Sequence, residues 1–288
     1  MRLSLRGVYA AALLAACGGT KPSAPPAPVP GPEPAPTPAA PSSPLRYGLR
    51  GPLAYEVERY DSLFYASMPG APQATAKRGV LSVRPLPGRN NDVEVRLDSL
   101  VGLEDTRLTP TTIDSSIGSR WQLTLGPSGP KGELLGGHRT ILAGQIEAIV
   151  RLLFPPLPSG GLRVQDVWAD SNAYRVRVDA FDALETAVRA SQAVPAPGPP
   201  NQGDAGVIVE ASERLSRSGT TMQAGQTMTL KGAGLRRMRF EFAPDGWVRT
   251  LTVRDSLDLV VTVDPGGETV PVRWRSTLIG RLRDLPLR

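Results

Sequence analysis

The sequence predicts a mainly β fold of the α+β class, in which an antiparallel curved sheet or half-barrel packs against one amphipathic helix. The first observation is that apolar and charged side chains alternate with a period of two in many segments of the chain. Strands with one apolar and one charged face are typical of antiparallel sheets that are wet on one side. The second observation is that these segments lack the continuous apolar runs of parallel strands. The third is one clear helical stripe, at residues 142–153.

The first 16 residues predict a secretory signal peptide. Arg2 and Arg6 give a positively charged start, and residues 7–16 form an apolar run. This run is about half as long as the ~20 apolar residues that a membrane-spanning helix needs. The signal ends in small residues before the only cysteine of the chain, Leu14-Ala15-Ala16-Cys17-Gly18.

These residues resemble the lipobox of bacterial lipoproteins. The resemblance implies that the signal is cut before Cys17 and that the Cys17 thiol carries a diacylglycerol. The lipid bilayer is then the first expected partner. Because Gly18 rather than Asp follows the cysteine, the resemblance also implies an anchor in the cell envelope, on the periplasmic face of the outer membrane. The alternative is an ordinary signal peptide that ends at a cysteine by chance.

Residues 17–45 predict the lipidated cysteine and a tether rich in proline and alanine. There are 11 prolines in residues 21–45, and such a segment has little apolar surface to bury and favours polyproline II. At ~3.1 Å per residue the reach of residues 21–45 is roughly 80 Å at most. A proline-rich ligand for a partner domain is the alternative interpretation. The remaining residues, 46–288, predict one β-rich folded domain.

The predicted strands of this domain are defined by apolar residues that share one face. These residues are Tyr55 and Val57; Val93, Val95 and Leu97; Trp121, Leu123 and Leu125; Tyr174, Val176 and Val178; Met238, Phe240 and Phe242; Leu257, Leu259, Val261 and Val263; and Val270, Val272 and Trp274. The last two groups flank a predicted turn, Asp264-Pro265-Gly266-Gly267.

Two helices are predicted between these strands. Leu142, Ile146, Ile149 and Leu153 follow one another at spacings of four, three and four, and therefore share one helical stripe. The prolines of Phe154-Pro155-Pro156 end this helix. A second, shorter helix is predicted from Asp182 to Gln192. It has Asp182 as its cap and Glu185 three residues on, and its apolar face is Phe181, Leu184 and Val188.

Two weak similarities suggest that the domain has two similar halves of roughly 118 residues. Arg120–Gly129 resembles Arg237–Gly246, and residues 54–59 resemble residues 173–178. The alternative is that any two amphipathic strands look alike. In the two-half interpretation, the proline-rich stretch Val194–Asp204 is a loop within the second half.

A further resemblance covers residues 153–170. A Phe-Pro-x-Leu-Pro run at Phe154–Pro158 leads to Gln165-Asp166-Val167-Trp168. This is similar to a stretch of uncharacterised β-rich envelope lipoproteins, in which Gly precedes the Asp; the similarity implies a fold and no chemistry. Within the domain, Trp168 is predicted to start a new strand. At the level of architecture alone, the predicted sheet and helix resemble the LolA-like and LprG-like lipoprotein carriers.

The motifs of the chain predict no catalytic residue, no metal site and no cofactor. One Cys and one His cannot form an internal disulfide or a Cys/His zinc site. His138 lacks an obvious triad partner and is interpreted as a polar residue near a helix start. Ser128-Gly129-Pro130-Lys131 spells Ser-x-x-Lys, but its proline and glycine predict a hairpin turn rather than a catalytic helix. Gly232-Ala233-Gly234 is likewise predicted to be a turn and not a dinucleotide loop.

The net charge of +6 falls to +4 once Arg2 and Arg6 leave with the signal. Six arginines occupy predicted outward positions on the strands: Arg175, Arg177, Arg237, Arg239, Arg273 and Arg275. They could face anionic lipid headgroups or envelope polysaccharide. An ordinary solvated sheet face is the favoured alternative, because Asp and Glu are interspersed. Export from the cytoplasm disfavours nucleic acid as a partner.

Together these features predict a membrane-anchored, non-enzymatic envelope lipoprotein that binds an apolar or amphipathic ligand. The ligand-binding residues are not identified by the sequence, but this hypothesis expects a cavity above roughly 300 Å³. A scaffold that binds a protein partner in an envelope complex is the first alternative. A hydrolase that uses a pair of carboxylates is the second, and it would need carboxylates with perturbed pKa values in a cleft.

Overall fold

An antiparallel sheet of 11 strands makes up most of the domain in the computed structural model. The structure describes residues 44–47, 51–66, 72–88, 91–103, 109–126, 129–136, 140–178, 180–196, 206–264 and 266–283. The described residues belong to one structural unit, Ser42–Arg288. The predicted signal peptide and Cys17 lie outside the described residues.

The strands follow one another along the chain with two short helices among them. The first five strands are β1 (Leu53–Tyr65), β2 (Gln73–Pro85), β3 (Asp92–Gly102), β4 (Arg120–Thr124) and β5 (Lys131–Gly136). The other six are β6 (Val167–Val178), β7 (Phe181–Pro195), β8 (Val207–Gln223), β9 (Gln226–Phe242), β10 (Val248–Asp264) and β11 (Glu268–Arg283). The helices are α1 (Pro110–Ser116) and α2 (Ile141–Leu152).

The strand order is β5-β4-β3-β2-β1-β11-β10-β9-β8-β7-β6, and the described strand pairs are antiparallel. Two meanders therefore meet where β1 pairs with β11, and β5 and β6 form the two edges. The sheet is open and curved and does not close into a barrel within the described residues. The predicted mainly β fold with an antiparallel curved sheet is confirmed.

The predicted inward positions are confirmed where apolar side chains alternate with charged ones. Tyr55 and Val57 of β1 are buried, and so are Trp121 and Leu123 of β4. The predicted turn between β10 and β11 is also in place, and Trp168 lies at the start of β6. These strands were predictable because each has one buried apolar face and one exposed charged face.

The helix predicted at residues 142–153 is α2. Leu142, Ile146 and Ile149 are buried on its inner side. Thr140 caps the helix, since its hydroxyl accepts a hydrogen bond from the amide of Ala143 at 3.0 Å. Helix α1 was not predicted; it is short, and Pro110 at its first position follows the capping residue Thr109.

The second helix, predicted from Asp182 to Gln192, is wrong, because these residues lie in strand β7. The strand buries its odd-numbered positions, which are Phe181, Ala183, Glu185, Ala187, Arg189, Ser191 and Ala193. Small and charged side chains thus occupy the inner face, while Leu184 and Val188 are exposed on the outer face. The alternation of apolar and polar residues along β7 therefore does not indicate which face of the strand is buried.

The turn predicted at Gly232-Ala233-Gly234 is also wrong, because these residues lie within strand β9. The two glycines allow β10 to approach closely. A Cβ atom at Gly232 would lie 2.2 Å from the carbonyl oxygen of Asp258, and one at Gly234 would lie 2.1 Å from that of Ser256. Since no side chain fits in such a gap, the glycines permit a close strand approach rather than a chain reversal.

The apolar residues of the concave face form two separate clusters. The helix-side cluster combines α2 and its following loop with the strands, and includes Tyr55, Leu97, Trp121, Ile146, Leu153, Phe154, Phe240, Trp247 and Leu278. The strand-only cluster contains Val176, Phe181, Ala183, Ala187, Leu215, Leu230, Leu257, Leu259, Val272 and Trp274. Every buried member of the second cluster comes from strands β6–β11.

The two-half repeat stays an interpretation. Arg120–Gly129 and Arg237–Gly246 each contain a strand end followed by a connection to the next strand, β4 to β5 and β9 to β10. Such a pattern is common to amphipathic hairpins in general. The loop predicted at Val194–Asp204 starts too early, because Val194 and Pro195 still belong to β7 and pair with β8, and its residues 197–204 are not among those the structure describes.

Candidate functional site

A belt of charged side chains crosses the concave face between the two apolar clusters. In the strand register, Arg189 pairs with Glu213, Glu213 with Arg236, and Arg236 with Asp255. We name as the ionic belt the residues Arg59, Asp61, Asp170, Tyr174, Glu185, Arg189, Glu213, Arg217, Arg236, Asp255 and Ser276. Glu185, Glu213 and Arg236 are 3% exposed or less, so their charges depend on partners rather than on water.

Arg236 lies at the centre of the belt and uses its guanidinium fully. Its Nε and Nη2 donate to the two oxygens of Asp255 at 2.8 and 3.2 Å. Its Nη1 donates to Glu185 and Glu213, at 3.1 Å each, and to the Tyr174 hydroxyl at 3.0 Å. Hydrogen bonds of this kind between ionised groups fix the geometry of both partners.

Glu185 and Asp255 of the belt each accept hydrogen bonds from more than one donor. Asp170 differs, because its Oδ2 is buried without a hydrogen-bond partner among the described residues and burial raises its pKa. Glu185 accepts hydrogen bonds from Arg217, Arg236 and the Tyr174 hydroxyl. Burial raises the pKa of Glu185, but the guanidinium groups of Arg236 and Arg217 outweigh burial and hold it below its ordinary value. Burial likewise raises the pKa of Asp255, but Arg236, Arg217 and Arg59 together outweigh burial and hold it below its ordinary value. Both carboxylates are therefore stable as anions.

Arg217 has donor capacity that the protein does not use. Its Nε donates to Glu185, and its guanidinium carbon lies 4.2 Å from the ring centroid of Trp274. Arg217 is 4% exposed, and its Nη1 has no hydrogen-bond partner among the described residues. Burial lowers the pKa of Arg217, and the Glu185 carboxylate opposes that shift. A buried and unsatisfied cationic donor is costly unless a further group binds it.

A second arginine approaches the same indole ring. The guanidinium carbon of Arg59 lies 5.6 Å from the centroid of Trp274. Its Nε donates to both oxygens of Asp61, at 3.1 and 2.9 Å, and the indole Nε1 of Trp274 donates to Asp61 at 3.1 Å. Within the described chain, the terminal nitrogens of Arg59 make no hydrogen bond. Asp61 therefore orients both Arg59 and Trp274.

The glycines of β9 explain how Arg217 reaches Trp274, which lies three strands away. Gly232 is the cross-strand partner of Arg217, and Gly234 is that of Leu215. Because neither glycine has a side chain, the long side chain of Arg217 can extend over β9 towards β11. The glycines that the sequence analysis assigned to a turn thus make room for the side chain of Arg217.

A cavity of about 320 Å³ opens beside the ionic belt. Three kinds of residue line it. Arg59, Asp61, Glu185, Arg217, Arg236 and Asp255 come from the belt; Leu142, Gln145, Ala148 and Leu152 from α2; and Phe181, Leu230, Leu259, Val272 and Trp274 from the strand-only cluster. Leu63, Tyr65, Val178 and Val261 also line the cavity and are half-buried. Chemically, the cavity is apolar at its strand-only end and offers cationic donors in the middle.

The residues that the sequence singled out lie elsewhere. Cys17, His138 and Ser128 fall outside the described residues. Pro130 and Lys131 lie at the β4–β5 connection, as the predicted hairpin turn requires. No group of His, Cys, Asp and Glu that could hold a metal ion occurs among the residues that the structure describes.

The predicted arginine face is only partly unpaired. Arg175, Arg237, Arg239, Arg273 and Arg275 are exposed, as predicted; the side chain of Arg177 is not described. Arg239 lies 2.5 Å from Glu210, and Arg273 lies 3.2 Å from Asp258. These pairs favour the interpretation of a solvated sheet face over that of a basic patch.

The ionic belt itself was missed, although the sequence contains a signal for it. Glu185 and Arg189 are four residues apart, and so are Glu213 and Arg217 in the next strand. Antiparallel pairing then aligns Glu185 with Arg217 and Arg189 with Glu213. Two Glu-x-x-x-Arg segments on adjacent antiparallel strands thus place each Glu opposite an Arg. This charge pairing is not visible in the sequence of one strand alone.

A comparison with known protein families and with curated proteins finds no match for this chain. Among the residues described, no helix is long and apolar enough to span a membrane.

Proposed function

We propose that this protein is a lipid-anchored envelope lipoprotein whose domain binds an amphipathic ligand in the cavity of the concave face and catalyses no reaction. The observation that carries the proposal is the cavity of about 320 Å³, with an apolar end and an unsatisfied donor on Arg217. Its volume lies at the lower end of the range of about 300–1,000 Å³ for small-molecule sites. One hydrocarbon chain with a polar end matches that combination.

The carboxylates of the cavity favour binding over hydrolysis. A paired-carboxylate hydrolase needs one carboxyl with a raised pKa as a general acid. The pKa values of Glu185 and Asp255 are lowered instead, because arginines outweigh the effect of burial on both. Their oxygens already accept hydrogen bonds from Arg217 and Arg236. Such groups are poor acids and weak bases, so they are better suited to holding arginines in place.

The ligand proposal is tested by native mass spectrometry of the full chain carrying Cys17→Ala, which cannot be acylated at that position. We expect an additional mass that co-purifies with the protein and is released by organic solvent. A matched variant, Leu230→Glu, places a negatively charged side chain at the apolar end of the cavity and should lose the added mass. Spectra of a folded protein that repeatedly lack any added mass would contradict the proposal.

The anchor is tested separately, by metabolic labelling with a radioactive fatty acid in a Gram-negative host. We expect label in the intact chain and in the membrane fraction, and loss of both in Cys17→Ala. Cys17→Ser keeps the size of the side chain but not the thiol, and should behave like the alanine variant. Label that persists in either variant would contradict acylation of Cys17.

The second candidate function is a scaffold that binds a protein partner of the envelope. Its motivation is the open sheet, in which β5 and β6 each leave one edge without a neighbouring described strand. Val167 at the start of edge strand β6 is 75% exposed, and exposed edges can accept a strand from another chain. Crosslinking in cells separates the two functions: a defined protein partner, with no ligand in the mass spectra, favours the scaffold.

A further inference from the structure

We infer, resting on the proposed ligand-binding function, that the ligand is a single-chain anionic amphipath whose acidic head group binds Arg217 and Arg59. Its hydrocarbon chain then lies along the strand-only cluster. Carboxylate and phosphate head groups share the required chemistry, since each offers planar or forked acceptors to a guanidinium.

The choice of an acidic head group comes from the donors of two arginines that line the cavity, Arg217 and Arg59. The carboxylates there accept hydrogen bonds from within the protein, as Glu185 does from three side chains. The Nη1 of Arg217 is buried without a partner among the described residues, and Arg59 uses its Nε alone. A cationic head group would find acceptors that are already taken, whereas an anionic one completes the hydrogen bonding of both arginines.

The indole of Trp274 brings the two free donors into one place. Arg217 lies 4.2 Å from its centroid and Arg59 lies 5.6 Å from it. Both arginines therefore contact one aromatic ring and line one cavity. The Nε of Arg59 donates to Asp61 and the Nε of Arg217 donates to Glu185, which leaves the terminal nitrogens of both arginines to bind an acid. The arrangement resembles a clamp whose two arms are oriented in advance.

The position of the hydrocarbon chain follows from the apolar side of the same cavity. Leu230, Leu259 and Val272 are buried strand residues that line it next to Trp274. Val178 and Val261 are half-buried beyond them, which indicates where the chain approaches solvent. Since the cavity is small for its class, a single chain fits this side better than two or three.

The test measures the affinity of dodecanoate, dodecyl phosphate and dodecanol below their micelle concentrations, by isothermal titration calorimetry on the full chain carrying Cys17→Ala. The three probes share one hydrocarbon chain and differ in the head group. We expect both acids to bind roughly tenfold more tightly than the alcohol or better, because hydrogen bonds to charged groups are the stronger kind. Whichever acid binds more tightly identifies the natural head group as carboxylate or phosphate.

The decisive variant is Arg217→Gln, and the matched control is Arg214→Gln, an exposed arginine on the other face of the same strand. We expect Arg217→Gln to abolish the preference for acids while the affinity for dodecanol stays unchanged, and Arg214→Gln to change neither. If thermal melting shows that Arg217→Gln does not fold, Arg59→Gln replaces it with the same expectation.

The outcomes separate this inference from the proposed function. Equal binding of all three probes, or a preference for acids that survives in folded Arg217→Gln or in its replacement Arg59→Gln, would overturn the inference and leave ligand binding intact. Failure of every probe to bind a folded protein would overturn the proposed function itself.

Discussion

The two apolar clusters of the concave face are built from similar strands but are completed in different ways. The helix-side cluster is closed by α2 and by aromatic contacts, such as Tyr47 against Phe154 with centroids 6.1 Å apart. The strand-only cluster has no helical member, and six of its ten buried residues line the cavity, which Leu142, Val253 and Leu278 of the helix-side cluster border from the other side. One end of the sheet is thus completed by the chain's own helix, whereas the apolar surface of the other end borders a cavity.

The ionic belt separates the two ends, and its presence is hard to explain by stability alone. Replacing a buried ion pair by apolar residues of similar volume is often neutral or stabilising. Strands β7–β9 nevertheless carry Glu185, Arg189, Glu213 and Arg236 on their buried face. A belt that orients Arg217 towards the cavity gives these charges a function that packing would not supply.

The largest effect is expected from breaking the belt at its centre, with Arg236→Ala. This change leaves Asp255 with only the 3.5 Å hydrogen bond from Ser276, and it removes one of the buried guanidinium partners of Glu185 and of Glu213. We expect a loss of about 3–5 kcal/mol in the free energy of unfolding, as is typical when one member of a buried ion pair is removed. Urea denaturation measures it. Arg237→Ala, at the exposed neighbouring position, should change stability little, and equal losses in the two variants would contradict the special role of the belt.

The comparison of the two ends is sharpened by truncating one residue in each. Ile146→Ala in α2 should lower the free energy of unfolding by about 3 kcal/mol, because the closed cluster cannot collapse around the lost atoms. Leu230→Ala should have a smaller effect, since this side chain already borders a cavity. The affinity for dodecanoate should fall in Leu230→Ala and stay unchanged in Ile146→Ala. The reverse pattern would mean that the ligand binds at the helix-side cluster and not at the strand-only cluster.

This difference between the ends also shows what the sequence can and cannot predict. Apolar residues such as Trp121, Phe240 and Ile146 were assigned correctly, because their alternation or stripe reports burial directly. Strand β7 was assigned wrongly, because Glu185 and Arg189 lie inside while leucine and valine lie outside. Whether a charge is buried depends on its partner, and here the partners are as distant along the chain as Glu185 and Arg217.

The pH dependence of stability should report the belt. The folded-state pKa values of Glu185 and Asp255 lie below the ordinary values of 4.5 and 3.8, since arginines outweigh burial at both. Their contribution is therefore complete above those ordinary values and is lost as the pH falls towards the folded-state pKa values. We expect the free energy of unfolding to be constant from pH 7 to about pH 5 and to decline below that. Arg236→Ala should flatten this decline. An unchanged decline in that variant would mean that carboxylates outside the belt cause the loss of stability at low pH.

The smallest effect is expected at the cap of α2, and it tests whether the helix-side end can be weakened alone. Thr140→Ala removes the hydroxyl that accepts the 3.0 Å hydrogen bond of the Ala143 amide. We expect a loss of about 1 kcal/mol in the free energy of unfolding, within the range for N-cap residues. Thr140→Ser keeps the acceptor and should restore most of it. Because Arg59 and Arg217 lie on strands β1 and β8 and not on α2, the preference for acidic over neutral dodecyl probes should survive in both variants. A lost preference in Thr140→Ala would mean that the helix positions the arginines of the cavity, and that the two ends are not independent.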